Sequence, residues 1–126
     1  MVGMDLNLRG QSVTRVCFDA ALTLLTSAGY EVRVETDASV QAPGGDLVPF
    51  DPESPGATTV RLVSLVRDAV TSAEVGCAGD LLISFESGTE LTVAPNSDYE
   101  AWGLVGPNGS RVACMPGGEI ARWSEQ

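Results

Sequence analysis

The chain has 126 residues, of which 44% are hydrophobic and 19% charged, a composition suited to one globular core rather than a disordered tail. Seventeen acids against seven bases give a net charge of −10, all seven bases are arginine, and there is no lysine or histidine. Catalysis by Ser-His or Cys-His pairs, His-ligated metals and lysine Schiff bases is thereby excluded within the chain, and duplex nucleic acid meets a repelling field.

In chain order, Met1 to Asp5 lack a basic start followed by an apolar stretch, so no secretory leader is expected. The longest apolar runs, around Leu22–Leu25 and Val60–Val66, are interrupted by Thr, Arg and Ser and fall short of a membrane span. A cytoplasmic protein with no membrane partner is the expectation. Cys17, Cys77 and Cys114 are odd in number and far apart, which suits reduced, buried or half-buried thiols rather than a disulfide framework or a zinc site.

Val13-Thr14 opens a run that continues through Leu22-Thr23-Leu24, Gly29 and the alternating Glu31–Val34. The run closes with Pro43-Gly44-Gly45-Asp46-Leu47 and Phe50. After a helix-like segment the plan recurs, with Val70-Thr71, Leu81–Phe85, Gly88, Glu90–Val93, and finally Pro116-Gly117-Gly118-Glu119-Ile120 and Trp123. Alternation of period two marks half-buried strands, and Gly29 and Gly88 sit where tight hairpin turns require positive φ. The second copy carries an insertion from about Pro95 to Gly109. A third hairpin spans Trp102–Val105, Gly106-Pro107-Asn108-Gly109 and Arg111–Met115, with Asn-Gly as its turn signal.

Between the copies, Leu62, Leu65, Val66 and Ala69 fall on an i, i+3, i+4, i+7 stripe, which predicts a linking helix over 57–69. Ser54 or Thr58 would cap its start and Arg67 would sit in its last turn against the dipole. The expected fold class is α+β, a β-rich single domain of two pseudo-repeated antiparallel β-meanders (halves about 10–50 and 70–123) joined by that helix.

Chemistry is sparse along this plan. Asp46, Asp51 and Glu53 match no calcium loop, and the two Pro-Gly-Gly-acid motifs spell turns rather than phosphate nests, because Asp46 and Glu119 would repel an anion. No catalytic residue, cofactor or metal is assigned. The segment Asn96-Ser97-Asp98-Tyr99-Glu100-Ala101-Trp102 is the most informative, since Tyr and Trp anchor interfaces and neighbouring acids suit a basic partner. The candidate contact patch is Asp98, Tyr99, Glu100 and Trp102. In the other reading of these residues, Trp102 packs inward and Tyr99 covers a core edge. Trp123 is expected as core or edge cover.

Asp98-Tyr99-Glu100-Ala101-Trp102, Gly106-Pro107-Asn108-Gly109, Pro116-Gly117-Gly118-Glu119 and Trp123 together resemble a family of short bacterial proteins of unknown function. The start Gly10–Val13 and the run Phe85–Val93 fit the same family. A further likeness, to immunity proteins of bacterial polymorphic toxin systems, implies binding to a basic toxin. The expectation is therefore a non-catalytic protein-binding module with a basic protein partner and a possible homodimer. The alternatives are a sensor holding a small apolar ligand between its β layers and, less favoured, a carboxylate-dependent enzyme.

Overall fold

The computed structural model describes residues 3–123. Twelve strands run through them: β1 Met4–Asp5, β2 Val13–Phe18, β3 Leu22–Thr26, β4 Glu31–Val34, β5 Ala38–Gln41, β6 Leu47–Phe50, β7 Val70–Val75, β8 Leu81–Phe85, β9 Glu90–Val93, β10 Trp102–Val105, β11 Arg111–Cys114 and β12 Ile120–Trp123. They form two six-stranded antiparallel sheets, ordered β1-β7-β8-β9-β5-β6 and β12-β11-β10-β4-β3-β2. The fold is a β-rich α+β domain, and both sheets turn their apolar faces into one shared core. Leu22, Leu24, Ile83 and Phe85 are all buried there, as alternation of period two requires.

Each sheet draws on both halves of the chain, so the two meanders do not form one sheet each. In the first half, β2-β3-β4 stay together, but β5-β6 crosses over and pairs with β9; reciprocally, β10-β11 of the second half pairs with β4. The exchange keeps one register. Ala38, Ser39, Val40 and Gln41 face Val93, Thr92, Leu91 and Glu90, and Trp102, Gly103, Leu104 and Val105 face Val34, Arg33, Val32 and Glu31.

An internal two-fold axis passes near the isolated antiparallel bridge between Ser12 and Ala69. Around it the backbone bonds come in matched pairs. Val13 N–H donates to Asp68 O (2.9 Å) as Val70 N–H donates to Gln11 O (2.8 Å). Arg67 N–H donates to Val13 O (2.7 Å) as Gly10 N–H donates to Val70 O (2.8 Å). The repeated Val-Thr pair marks a β-bulge in both copies, at Val13/Arg15 against β3 and at Val70/Ser72 against β8. Gly29 and Gly88 turn their Cα faces onto Pro107 and Pro43 of the opposite half, so a Cβ on either would lie 3.1 Å from proline carbon.

That contact resets the alignment of the halves. Pro43-Gly44-Gly45 lies at the tip of the β5–β6 hairpin, and its positional counterpart is Pro107-Asn108-Gly109 at the tip of β10–β11. It does not correspond to Pro116-Gly117-Gly118, which the sequence pairs with it on identity. The third hairpin is therefore the partner of β5–β6 and not an addition. The true insertion is confined to the connection between β9 and β10, which is longer than the β4–β5 connection.

The linking helix is shorter than the apolar stripe predicts. A 3-10 turn at Gly56–Thr58 runs into α1, Thr59–Val63, and Thr58 makes no side-chain capping bond. Leu62 and Leu65 are buried, but Val63 and Val66 are exposed. The helix stops because residues 65–68 must repeat the turn made by 8–11. Asp68 N–H bonds Leu65 O as Gln11 N–H bonds Leu8 O, and Arg67 takes the left-handed conformation (φ 77°) of its counterpart Gly10 (φ 88°). Arg67 is thus a turn residue and not a helix-dipole partner.

Candidate partner-binding surface

The β9–β10 connection is fixed by Asn96. Its side-chain oxygen accepts the Asp98 and Tyr99 N–H groups (2.7 and 3.1 Å), while its carbonyl accepts Gly117 N–H (2.8 Å). Ala101 N–H bonds Cys114 O at 3.1 Å, and Ala101 O accepts Glu35 N–H at 2.9 Å. Held at both ends, the loop lifts Tyr99 into solvent, 68% exposed, with Asp98 exposed beside it. A loop ordered before binding avoids the entropic cost of fixing its backbone in the complex.

Glu100 points toward β11 and pairs with Arg111 at 3.2 Å. The Arg111 guanidinium lies over the Trp123 ring, 5.2 Å from its centroid, a cation–π distance. Trp123, on the edge strand β12, is 49% exposed. A shallow groove of about 150 Å³ runs beside it, with Tyr30, Leu104, Arg111 and Arg122 among its walls. The surface therefore offers Glu100, Arg111 and Trp123 in one run of contacts, with exposed Tyr99 preceding Glu100 in the chain.

The structure divides the sequence-derived patch. Asp98, Tyr99 and Glu100 lie on the surface, but Trp102 is fully buried, with its indole N–H donating to Gly79 O at 3.0 Å across to the β7–β8 turn. Trp102 cannot touch a partner. It sits on the inward face of β10 opposite Val34, the position held by Ala38 in β5, and fills the interior that a small residue leaves open. The reading in which Trp102 packs inward therefore holds, while Tyr99 covers no core edge, and Trp123, expected as core or edge cover, stands half exposed on the edge strand. Sequence reasoning also missed Arg111, although its place directly after the Asn-Gly turn puts it at the start of a strand.

The second Pro-Gly-Gly motif is built for close packing. Gly117 and Gly118 take φ of 89° and 99°, and a Cβ on Gly118 would collide with the Ala78 carbonyl, so only glycine fits. Of the cysteines, Cys77 is exposed, contrary to expectation, because it lies in the β7–β8 turn; Cys17 is half-buried and Cys114 buried. Burial pushes the Cys114 thiol up from its ordinary value, opposed by the hydrogen bond to the Ala101 backbone and reinforced by the Asp80 charge. Among the described residues, no group of three His, Cys, Asp or Glu is placed to hold a metal, and no helix is long and apolar enough to cross a membrane.

Neither the curated proteins nor the solved structures include a match to this chain. A family model described as a family of unknown function (DUF6188) matches residues 4–124, nearly the full length. The motifs singled out in the sequence, from the Gly10 turn to Trp123, fall inside that span, and the chain belongs to the DUF6188 family.

Proposed function

We propose that the chain is a non-catalytic, cytoplasmic protein-binding module that engages a basic protein, of the kind met in toxin neutralisation, through the surface around Tyr99 and Trp123. The observation that carries this reading is the Glu100–Arg111–Trp123 run of contacts on the surface together with the exposed Tyr99 that precedes Glu100. Tyr, Trp and Arg are the residue types that dominate binding energy when an interface closes over them. Here an arginine is oriented by the Glu100 carboxylate and the exposed Trp123 ring, and a second exposed aromatic, Tyr99, directly precedes Glu100 in the chain. The −10 net charge steers a basic protein toward the molecule and raises its association rate.

Two further observations favour surface recognition over the alternatives. Among the described residues, the space between the sheets is packed with Trp102, Leu22, Leu24, Leu81, Ile83 and Leu91, which favours surface recognition over a ligand held between the layers. Two half-buried carboxylates are engaged in structural contacts, Glu100 with Arg111 and Asp68 with Ser87.

Benzoylphenylalanine placed at position 99 or 123 and irradiated in extract of the source cells tests the proposal. The expected result is one discrete adduct with a basic protein from both positions, and none from the same probe at Thr71, which is exposed on β7. A Tyr99→Ala/Trp123→Ala variant should lose capture of that protein by the unmodified chain without a lower melting temperature. Adducts equal at position 71, or none at 99 and 123, would contradict it.

A further inference from the structure

The internal symmetry shows which sheet edges are finished and which are not. In the first sheet, β7 has its outer edge covered by the chain that precedes β2. Val70 bonds residues 10 and 11, Ala73 O accepts Leu6 N–H at 2.9 Å, and β1 pairs Met4 with Val75 and Asp5 with Glu74. Under this cover Val75 is 2% exposed. Strand β2 is the counterpart at the rim of the second sheet. Among the described residues its outer edge is paired only at Val13, by Arg67 and Asp68. The segment that would repeat β1 has become α1, so among the described residues nothing pairs with the edge from Arg15 to Phe18, and Phe18 is 37% exposed.

Of the other terminal strands, β1 is only two residues long, β12 carries Arg122 and the exposed Trp123, and β6 carries Pro49, which supplies no N–H and is a common guard against strand addition. Strand β2 has no such guard. Its pairing partners fix which way its side chains point. Val16 and Phe18 face Leu24 and Leu22, both buried, on the core side, whereas Cys17 faces Thr23 on the outer side together with Arg15. By correspondence with Ala73 and Val75, it is Val16 and Phe18 whose backbone groups point outward.

We infer that β2 pairs antiparallel with β2 of a second copy, about a two-fold axis at Cys17. In this register Val16 of each copy faces Phe18 of the other, and these are the hydrogen-bonded pairs. Arg15 faces Asp19 of the other copy twice, giving opposite charges on the outer face. Cys17 faces its own copy in a non-hydrogen-bonded pair, where Cα atoms stand ~4.5 Å apart and thiols lie within bridging range. Shifting the register by one residue in either direction removes both the apolar match and the charge match. The side-chain order Arg15-Val16-Cys17-Phe18-Asp19 is self-complementary only about its middle residue. The result is a continuous twelve-stranded sheet with Phe18 covered as Val75 is covered by β1.

Sedimentation equilibrium of the full chain at physiological salt reads this association directly. The wild type should dimerise reversibly. Arg15→Asp, an exposed substitution that places like charges opposite each other twice, should weaken the dimer by about tenfold or more. The Arg15→Asp/Asp19→Arg exchange should restore it. In a Cys77→Ser background, mild copper–phenanthroline oxidation in air should trap a covalent dimer through Cys17, and Cys17→Ser/Cys77→Ser should give none while still sedimenting as a dimer. A wild type that stays monomeric at several hundred micromolar overturns the inference. So does a dimer indifferent to Arg15→Asp, or an edge protected only when a different protein is added.

Discussion

Strands β2 and β7 share a bulge and a register with the following strand, yet β1 lies outside β7 while β2 ends its sheet, and Phe18 is 37% exposed on β2 whereas Val75 is 2% exposed on β7. Strands β6 and β11 repeat the contrast at the opposite rims. Leu47 and Val48 of β6 stand exposed, whereas the corresponding edge of β11 is paired along its length with β12. The interiors differ less, with Ala38 in one half answered by Trp102 in the other. Backbone pairing about the Ser12–Ala69 axis is preserved, and divergence has gathered at the edges. The second half gained a cover for β11 and a presented tyrosine, and the first half kept an open strand. Surfaces for partners arise where the two halves ceased to match.

The largest test of this comparison is Trp102→Ala, which makes the second half resemble the first at that position. Loss of the buried indole and of its bond to Gly79 O should cost roughly 3–5 kcal/mol in urea unfolding. A loss below about 1 kcal/mol would mean that the site collapses around an alanine as it does at Ala38.

Next come the two Pro-Gly-Gly motifs, which look alike in sequence and differ in space. Gly118→Ala forces a Cβ against the Ala78 carbonyl at φ 99° and should destabilise by about 2 kcal/mol or more. Gly45→Ala, with negative φ and ordinary contact to Ala42, should fall within about 0.5 kcal/mol of wild type. Equal effects would return the two motifs to equivalence.

Arg67→Gly matches the turn to its partner Gly10 and should stabilise by up to about 1 kcal/mol, while Gly10→Ala should cost a similar amount, both read by thermal unfolding. The smallest effect is that of pH. Cys114 holds its proton more firmly folded than unfolded, so its contribution is complete below the unfolded thiol pKa and is lost as pH rises through the folded one. A Cys114→Ala variant should therefore lose less stability than wild type between pH 8 and 10. In the native protein, Ellman's reagent should modify exposed Cys77 rapidly and leave Cys114 untouched until unfolding.

Much of the strand plan was legible because alternation of period two records which face of a strand is buried; Leu22, Leu24, Ile83 and Phe85 are read correctly for that reason. Alternation does not record which strand lies alongside. The hairpin exchange depends on how the short connections at residues 35–37 and the longer one before β10 steer the chain, and neither carries a pattern that names its neighbour. The helix was overextended because Leu62 and Leu65 satisfy a helical stripe and a turn equally well. Only the match of Arg67 to Gly10, visible once the axis is found, ends it. Of the binding patch, Asp98, Tyr99 and Glu100 were legible as a polar, aromatic loop. Trp102 was not separable from it, since a tryptophan next to a loop enters the core or leaves it according to the first pleat of the following strand.

The claim on which the edges, the patch and the symmetry all rest is the exchange of hairpins between the halves. Interstrand NOEs in the folded protein decide it. Contacts joining Leu104 to Val32 and Val40 to Leu91 are the predicted result. Contacts joining β4 directly to β5, or β9 directly to β10, would mean that each half forms its own sheet, contradicting the account.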